Sequence, residues 1–297
     1  MKVLDYIRRY GWKDLPALIT DYRSRKRGYK DVFVAEMNRK AASIGASSAC
    51  FPDASGLKWR GSAASPRDFI QILIHALQIP QIAEKWGKDR YEISVQGRRA
   101  RTVSIASTVF GAQSGISKYP ILGGKTGTIT APGHVNYNLA WITSVNGVRL
   151  ACVLMGGPTD ESRWRDARKL VDYLDSFLQG QPVELTVETP RLAVCKLPCD
   201  SGIPELLVSK SPDETGIPAS LTKLMALVTA YDYISDEDEM VRIVPSDIIG
   251  GSGDNLSAGD LVSIRDLVYD MLLPSSNEAA VALSRHIGAK ILKSKKQ

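Results

Sequence analysis

Two apolar runs, Leu139–Ser144 and Val148–Met155, meet across Val145-Asn146-Gly147, and no other stretch limits the fold of this chain as much. Asn-Gly between two such runs is the strongest short-range hairpin signal, because both residues tolerate the positive φ of a tight two-residue turn. The chain therefore contains antiparallel strands. Downstream, Arg163–Leu178 places Trp164, Ala167, Leu170, Val171, Leu174 and Leu178 at helical spacing, and Gly180-Gln181-Pro182 breaks that helix. Upstream, Gly123 and Gly124 precede Lys125-Thr126-Gly127-Thr128-Ile129-Thr130. Small and β-branched residues in this mixture suit an edge strand whose backbone something must approach closely.

The remainder mixes helices with short strands. Val32–Ala42 reads as a helix, and Ser65-Pro66-Arg67-Asp68 reads as a helix start, with serine as N-cap and proline in the first turn. Residues 80–120 mix a short helix with strand-like pieces. Val183–Val187, Leu192–Leu197 and Leu206–Ser209 are strand-like, and D-Y-I-S-D-E-D-E-M, from Asp232, reads as an acidic solvated turn. Helices are expected over Ser263–Leu273, ending at Pro274-Ser275-Ser276-Asn277, and over Glu278–Ile291. Residues 1–31 hold a two-piece amphipathic helix interrupted at Gly11 and Pro16, then a basic run; docking on the protein body is expected ahead of contact with an anionic membrane surface.

Composition sets the class. With 297 residues, 44% hydrophobic and 24% charged, the chain can bury a sizeable core. No run approaches the length of a membrane span, and M-K-V-L-D-Y-I-R-R-Y lacks an apolar core followed by a small-residue cleavage site, so no export signal is expected. The net charge of +6 comes with basic runs at Arg23–Lys30, Arg98–Arg101 and the C-terminus; without aromatic interleaving these read as solvated faces, not nucleic-acid contacts. Four cysteines are too few for a disulfide framework, and spacing does not decide whether Cys195 and Cys199 bridge the turn between them. The scattered His75, His134 and His286 do not suggest zinc, and no cofactor is implied.

The chemistry concentrates in G-I-P-A-S-L-T-K-L-M-A-L-V-T-A-Y, Gly216–Tyr231. Pro218 precedes the first turn, and Leu221, Leu224, Met225, Leu227, Val228 and Tyr231 recur at helical spacing. Ser220 and Lys223, three residues apart, share a helix face, so the amine can reach the hydroxyl. A serine is a poor nucleophile until a neighbour takes its proton, and a desolvated lysine can do so. Helix N-terminal amides are suited to hold an oxyanion. Ser-x-x-Lys occurs about once by chance in a chain of this length. Here a second copy, Ser55–Lys58, contains glycine and reads as loop.

Three motifs fit together: Ser220-x-x-Lys223, Ser275-Ser276-Asn277 between two helices, and Lys125-Thr126-Gly127 on a strand, the combination found in penicillin-binding proteins and serine β-lactamases. Ser144-Val145-Asn146 is a further Ser-x-Asn, but it sits in the hairpin. P-A-S-L-T-K-L-M-A-L-V, L-S-A-G-D-L-V-S-I-R-D-L-V-Y-D-M-L-L-P-S-S-N-E-A-A-V-A-L, F-V-A-E-M-N-R-K-A, F-P-D-A-S-G-L and G-G-K-T-G-T resemble the D-alanyl-D-alanine carboxypeptidases, the low-molecular-mass penicillin-binding proteins. The resemblance spans roughly residues 32–180 and 185–288. It implies an α/β (α+β) fold of the β-lactamase/transpeptidase type, an antiparallel sheet flanked by helices plus a mostly helical lobe. It also implies that Ser220 attacks the bond between two D-alanines of a peptidoglycan stem peptide and forms an acyl-enzyme, with Lys223 as base. Ser275 and Asn277 then relay the proton and hold the substrate amide. Lys125 adds positive charge that keeps Lys223 neutral, Thr126 and Gly127 border the substrate, and the amides of Ser220 and Thr128 hold the oxyanion. Arg163 is the counterpart of the family's carboxylate-binding arginine, with Arg165 as the neighbour it could be confused with. β-Lactams are implied as covalent inhibitors, and an extracytoplasmic place of work, with a cytoplasmic one as the alternative.

The motif order departs from the family's, in which Ser-x-x-Lys comes first and Lys-Thr-Gly last. The chain reads as a circular permutation: a peripheral extension over 1–31, the second half of the catalytic domain over 32–180, a linker at 181–184, and the first half over 185–297. A serine β-lactamase is an alternative, disfavoured because no Glu-x-x-x-Asn lies between Asn277 and Lys125 in family order. A catalytically silent scaffold is another, disfavoured because all the motif residues are present.

Overall fold

The computed structural model describes residues 15–97, 99–110, 118–198 and 204–295. The first piece of the N-terminal helix expected from the sequence, Arg98 of one basic run, and the Cys199 half of the Cys195–Cys199 pair lie outside them. The elements are α1 (Leu15–Arg27), α2 (Tyr29–Ser43), α3 (Pro66–Leu77), α4 (Pro80–Trp86), β1 (Arg90–Val95), β2 (Arg101–Ala106), β3 (Ile121–Ala131), β4 (His134–Val145), β5 (Val148–Gly157), α5 (Asp160–Leu178), β6 (Arg191–Lys196), β7 (Glu205–Lys210), α6 (Thr222–Ala230), β8 (Met240–Arg242), β9 (Leu261–Ser263), α7 (Ile264–Leu272) and α8 (Asn277–Ser294).

The hairpin forms the middle of a five-stranded antiparallel sheet of order β3-β4-β5-β6-β7. Val145 pairs with Val148, and Asn146 and Gly147 take φ of 50° and 79°, the two positive values that a tight primed turn needs. The runs on β4 and β5 are continuously apolar because both sheet faces are covered. Leu139, Trp141, Leu150, Cys152 and Leu154 face α5, packing on Trp164, Ala167, Leu170, Val171 and Leu174. Ala140, Ile142, Ala151, Val153 and Met155 face the opposite way, into the larger core formed by α2, α3, α6, α7 and α8. Alternation thus survives as a choice between two apolar layers.

At the centre of the larger layer is α6, all nine of whose residues are buried. Around it, α3 starts at Ser65, whose hydroxyl accepts from the Asp68 amide while Asp68 accepts from the Ser65 amide, a capping box with Pro66 at the first position. The same device starts α7 at Ser263 with Asp266 and α5 at Thr159 with Ser162. In α1, Ala17 and Leu18 are buried, and Asp21 accepts from the Ser246 amide at 3.1 Å and from its hydroxyl, so this helix docks on the body. None of the described helices is long and apolar enough to cross a membrane.

Two local expectations fail. Val183–Val187 pairs with no strand. Leu185 and Val187 alternate with exposed neighbours because the segment lies against the α5 side of the core, giving a strand-like pattern without a ladder. The acidic stretch after Asp232 is not simply solvated: Glu237 pairs with the buried Lys85 at 3.0 Å and with Arg265 at 3.0 Å, and it accepts from Tyr231 Oη at 2.5 Å.

Candidate active site

Ser220 lies in a single 3₁₀ turn, Ala219–Leu221, that leads into α6. Ala219 takes φ 51°, a left-handed conformation that costs a non-glycine residue energy and recurs where a fold over-determines a functional turn. Three neighbours hold the turn. Asn138 on β4, buried, donates Nδ2 to the carbonyls of Ile217 (3.0 Å) and Pro218 (3.1 Å). Gly127 on β3 abuts the turn so closely that a Cβ there would stand 2.6 Å from Pro218 O and 3.1 Å from Leu221 N. From the other side, a Cβ on Gly56 would stand 1.9 Å from Ala219 O. The small-residue run of β3 and the Ser55-Gly56 loop are thus the two walls between which Ser220 sits. The edge position expected for Lys125–Thr130 is the one β3 occupies.

Lys223 is fully buried, and its Nζ touches three oxygens: Ser55 O at 2.8 Å, Asn277 Oδ1 at 2.8 Å and Ser220 Oγ at 2.9 Å. The Asn277 amide is oriented by its other end, where Nδ2 donates to Gly250 O at 2.9 Å. Ser55 O and Asn277 Oδ1 can only accept; Ser220 Oγ–H can also donate. A neutral amine has two N–H groups and one lone pair. Those two acceptors use both N–H groups, so the lone pair faces the one partner that carries a transferable proton. Burial lowers the Lys223 pKa to about 7, against the opposing pull of the Asp53, Glu278 and Asp270 carboxylates. Near neutrality a large fraction of Lys223 is therefore the free base.

The second loop approaches the same amine. Asn277 is the first residue of α8 and Ser276 its N-cap, accepting from the Ala279 amide, so the asparagine sits on the helix and not in the loop expected from the sequence. Ser275, with φ 70°, is 4% exposed, and its hydroxyl has no hydrogen-bond partner among the described residues. A buried hydroxyl with nothing to bond is costly unless a ligand or water completes it. Thr108 ties this loop to β3: its amide donates to Leu273 O at 3.0 Å and its hydroxyl bonds that of Thr126 at 2.7 Å. Beneath the site, burial pushes the Asp270 carboxyl up to about 7, with Asn255 Nδ2 donating to it at 2.8 Å.

Lys125 is wholly buried, and its Nζ donates to Thr126 O at 3.2 Å. Burial lowers its pKa well below the usual lysine value, and the like charges of Lys223 and Arg163 lower it further. Burial is likewise the first cause of the depressed Lys223 pKa.

Arg163 on α5 lies against β3. It donates Nη1 to Thr128 Oγ1 at 3.0 Å and to Asn138 O at 3.3 Å, pairs with Asp160, and stacks over Tyr137 and Trp164 at 5.5 and 5.1 Å. Its burial at 6% exposure lowers its pKa. Arg165 points elsewhere, pairing with Glu188. The two decoy motifs separate as well. Asn146 binds Asp175 from the hairpin turn, while Ser55 and Lys58 lie in a loop whose contribution is the Ser55 carbonyl. No sequence pattern marks a carbonyl as a ligand, nor Asn138, Thr108 and Asp270 as its surroundings; Asp-x-x-Gly at Asp53–Gly56 signals only the turn.

Residues 198–291 match the D-alanyl-D-alanine carboxypeptidase family, peptidase S11. This segment is about a third of the chain and includes Ser220, Lys223, Ser275 and Asn277. Lys125–Thr128 and Arg163 lie outside it. No curated protein and no solved structure matches the chain.

Proposed function

We propose that the protein is a serine-type D-Ala-D-Ala carboxypeptidase, and the observation that carries this is the buried Lys223 amine 2.9 Å from Ser220 Oγ, inside a segment that matches that family. Ser220 Oγ attacks the carbonyl of the penultimate D-alanine while its proton passes to Lys223 Nζ. The oxyanion lies between the amides of Ser220, in the 3₁₀ turn, and Thr128, on the strand packed against that turn. Each such donor contributes about 10²-fold or more in comparable sites. The proton reaches the leaving amine through Ser275, whose unpartnered hydroxyl gains a bond in the process, and the C–N bond breaks. Free D-alanine departs and the acyl group remains on Ser220. A water, deprotonated by the same lysine, then cleaves the ester and regenerates the serine.

The terminal carboxylate of the substrate binds toward Thr126 and Arg163, where it meets a cation already stripped of water and held in place by Asp160. Its arrival also favours protonation of Lys125. Asn277, fixed at both ends, holds the substrate amide beside the nucleophile. β-Lactams, with a strained amide and an adjacent carboxylate, fit the same groups and acylate Ser220. The substrate is a cell-wall peptide, so the reading carries an extracytoplasmic place of work.

The chain order belongs to the same proposal: a catalytic domain with its halves exchanged. Two packings support it. β5, from the half spanning 32–180, pairs with β6, from the half spanning 185–297, over Leu150–Lys196 to Met155–Arg191. α2 packs along α8, with a Cβ on Gly288 placed 1.9 Å from Tyr29 O, as two helices consecutive in the family's order would. D-Alanine release from diacetyl-Lys-D-Ala-D-Ala tests the activity. Release that disappears in Ser220→Ala supports it, and a parent protein that takes a penicillin label yet frees no D-alanine is a binder, not a carboxypeptidase.

A further inference from the structure

The rim of the cleft carries a side-chain cluster that the mechanism leaves unused. The Trp59 and His134 rings lie 4.6 Å apart, tilted by 42°, and the Arg60 guanidinium stands 5.0 Å over the Trp59 ring. The rings come from the two walls of the site: Trp59 follows Gly56 by three residues on the loop beside Ala219, and His134 opens β4 just past the turn that ends β3. The loop is firmly seated. Asp53 accepts from the amides of Ser55 (2.6 Å), Gly56 (2.6 Å) and Lys58 (2.6 Å), Ser62 N donates to Trp59 O at 3.1 Å, and Cys50 and Ala63 exchange backbone bonds of 2.7 and 3.0 Å.

Lys58, Arg60 and His134 are exposed here, and none has an ion-pair partner among the described residues. The one carboxylate on the loop, Asp53, is committed to backbone amides. An aromatic plate beside the two exposed basic side chains Lys58 and Arg60 suits a ligand with a carboxylate and an apolar stem. Its distance along the strand fixes which part of a peptide it meets. β3 continues three residues past Thr128 to Ala131, about 10 Å at the usual strand rise. A peptide laid along the open edge of β3 as an added strand, with its C-terminal carboxylate at Arg163, spans that distance with two or three residues.

We propose that Trp59, Arg60 and His134 form a specificity subsite for a carboxylate-bearing residue two or three positions upstream of the scissile bond; this rests on the reading of Ser220 as the acylating nucleophile. Trp59 packs on the aliphatic stem, Arg60 receives the carboxylate, and His134 holds the indole in place from the β3–β4 turn.

The test compares kcat/KM for D-alanine release from two peptides of equal length, one with a free carboxylate two or three residues upstream and the other with that carboxylate amidated. The parent protein is expected to prefer the acidic peptide, less so at high salt. In Arg60→Ala the acid-to-amide ratio falls about five- to tenfold, the scale of one partly solvated charged contact. Arg60→Lys keeps part of the preference, and Trp59→Ala loses most of it. Penicillin labelling of each variant shows that the site is folded. Turnover of both peptides with the same ratio in parent and variants, or a parent with no preference, would overturn the subsite alone. A parent that releases D-alanine from neither peptide would overturn the functional reading and the subsite with it.

Discussion

Protonating Lys223 should stop acylation of Ser220, and the size of the effect follows from where the amine sits. Its two N–H groups are taken by Ser55 O and Asn277 Oδ1, and the lone pair that remains faces Ser220 Oγ. With a pKa of about 7 the amine is roughly half neutral at pH 7, about a tenth neutral one unit lower and about a hundredth two units lower, each unit being about 1.36 kcal/mol. The second-order rate of labelling by a fluorescent penicillin, followed on denaturing gels from about pH 5 to 9, is therefore expected to rise about a hundredfold and level off above pH 8. An ordinary lysine would give a rate still climbing tenfold per unit past pH 9. That outcome, or a rate flat from pH 5 to 8, would refute the assignment of Lys223 as the base. Stability carries the same signature. The folded pKa lies below the unfolded one, so between about 7 and 10.5 the unfolded chain holds a proton that the folded chain does not. The contribution of this group to stability is expected to rise with pH across that window.

The close approach of β3 gives a second prediction: in Gly127→Ala the new methyl meets the backbone at Pro218 O and Leu221 N, which cannot swing aside as a side-chain end can, so β3 must withdraw from the Ser220 turn. Labelling by penicillin is expected to fall about 10²-fold, the value of one oxyanion donor, and an unchanged rate would show that the Thr128 amide is not a donor. For the carboxylate site, Arg163→Ala is expected to raise KM for peptides with a free C-terminal carboxylate by at least about tenfold, given the burial of the guanidinium, while Arg165→Ala, whose half-exposed pair with Glu188 is worth under about 1 kcal/mol, leaves KM as it was. Equal effects at the two positions would remove Arg163 from the carboxylate site.

What the sequence made legible was the local chemistry. Asn146-Gly147 specified its turn because two consecutive positive-φ residues have few uses, and Ser65-Pro66-Arg67-Asp68 specified a helix start because cap and box close within four residues. Ser220 and Lys223 were legible as a pair because one helical turn brings them together. Features set by tertiary packing were not. Val183–Val187 has the alternation of a strand, yet its apolar residues answer to the α5 side of the core and not to a ladder partner. One of the two acceptors on Lys223 is the carbonyl of Ser55, a residue whose own Ser-x-x-Lys pattern is chemically idle; backbone oxygens leave no trace in composition. Lys125 reads as a positive charge in the motif, and only the fold shows that it is wholly buried and that this burial lowers its pKa.

The central claim is that Ser220 becomes an acyl-enzyme. Mass spectrometry of the protein after reaction with benzylpenicillin, followed by proteolysis, measures this directly. The account predicts a single adduct of the intact β-lactam mass on the peptide that carries Ser220 and Lys223, absent in Ser220→Ala. A parent protein with no adduct, or one whose adduct lies on another residue and survives Ser220→Ala, would contradict it.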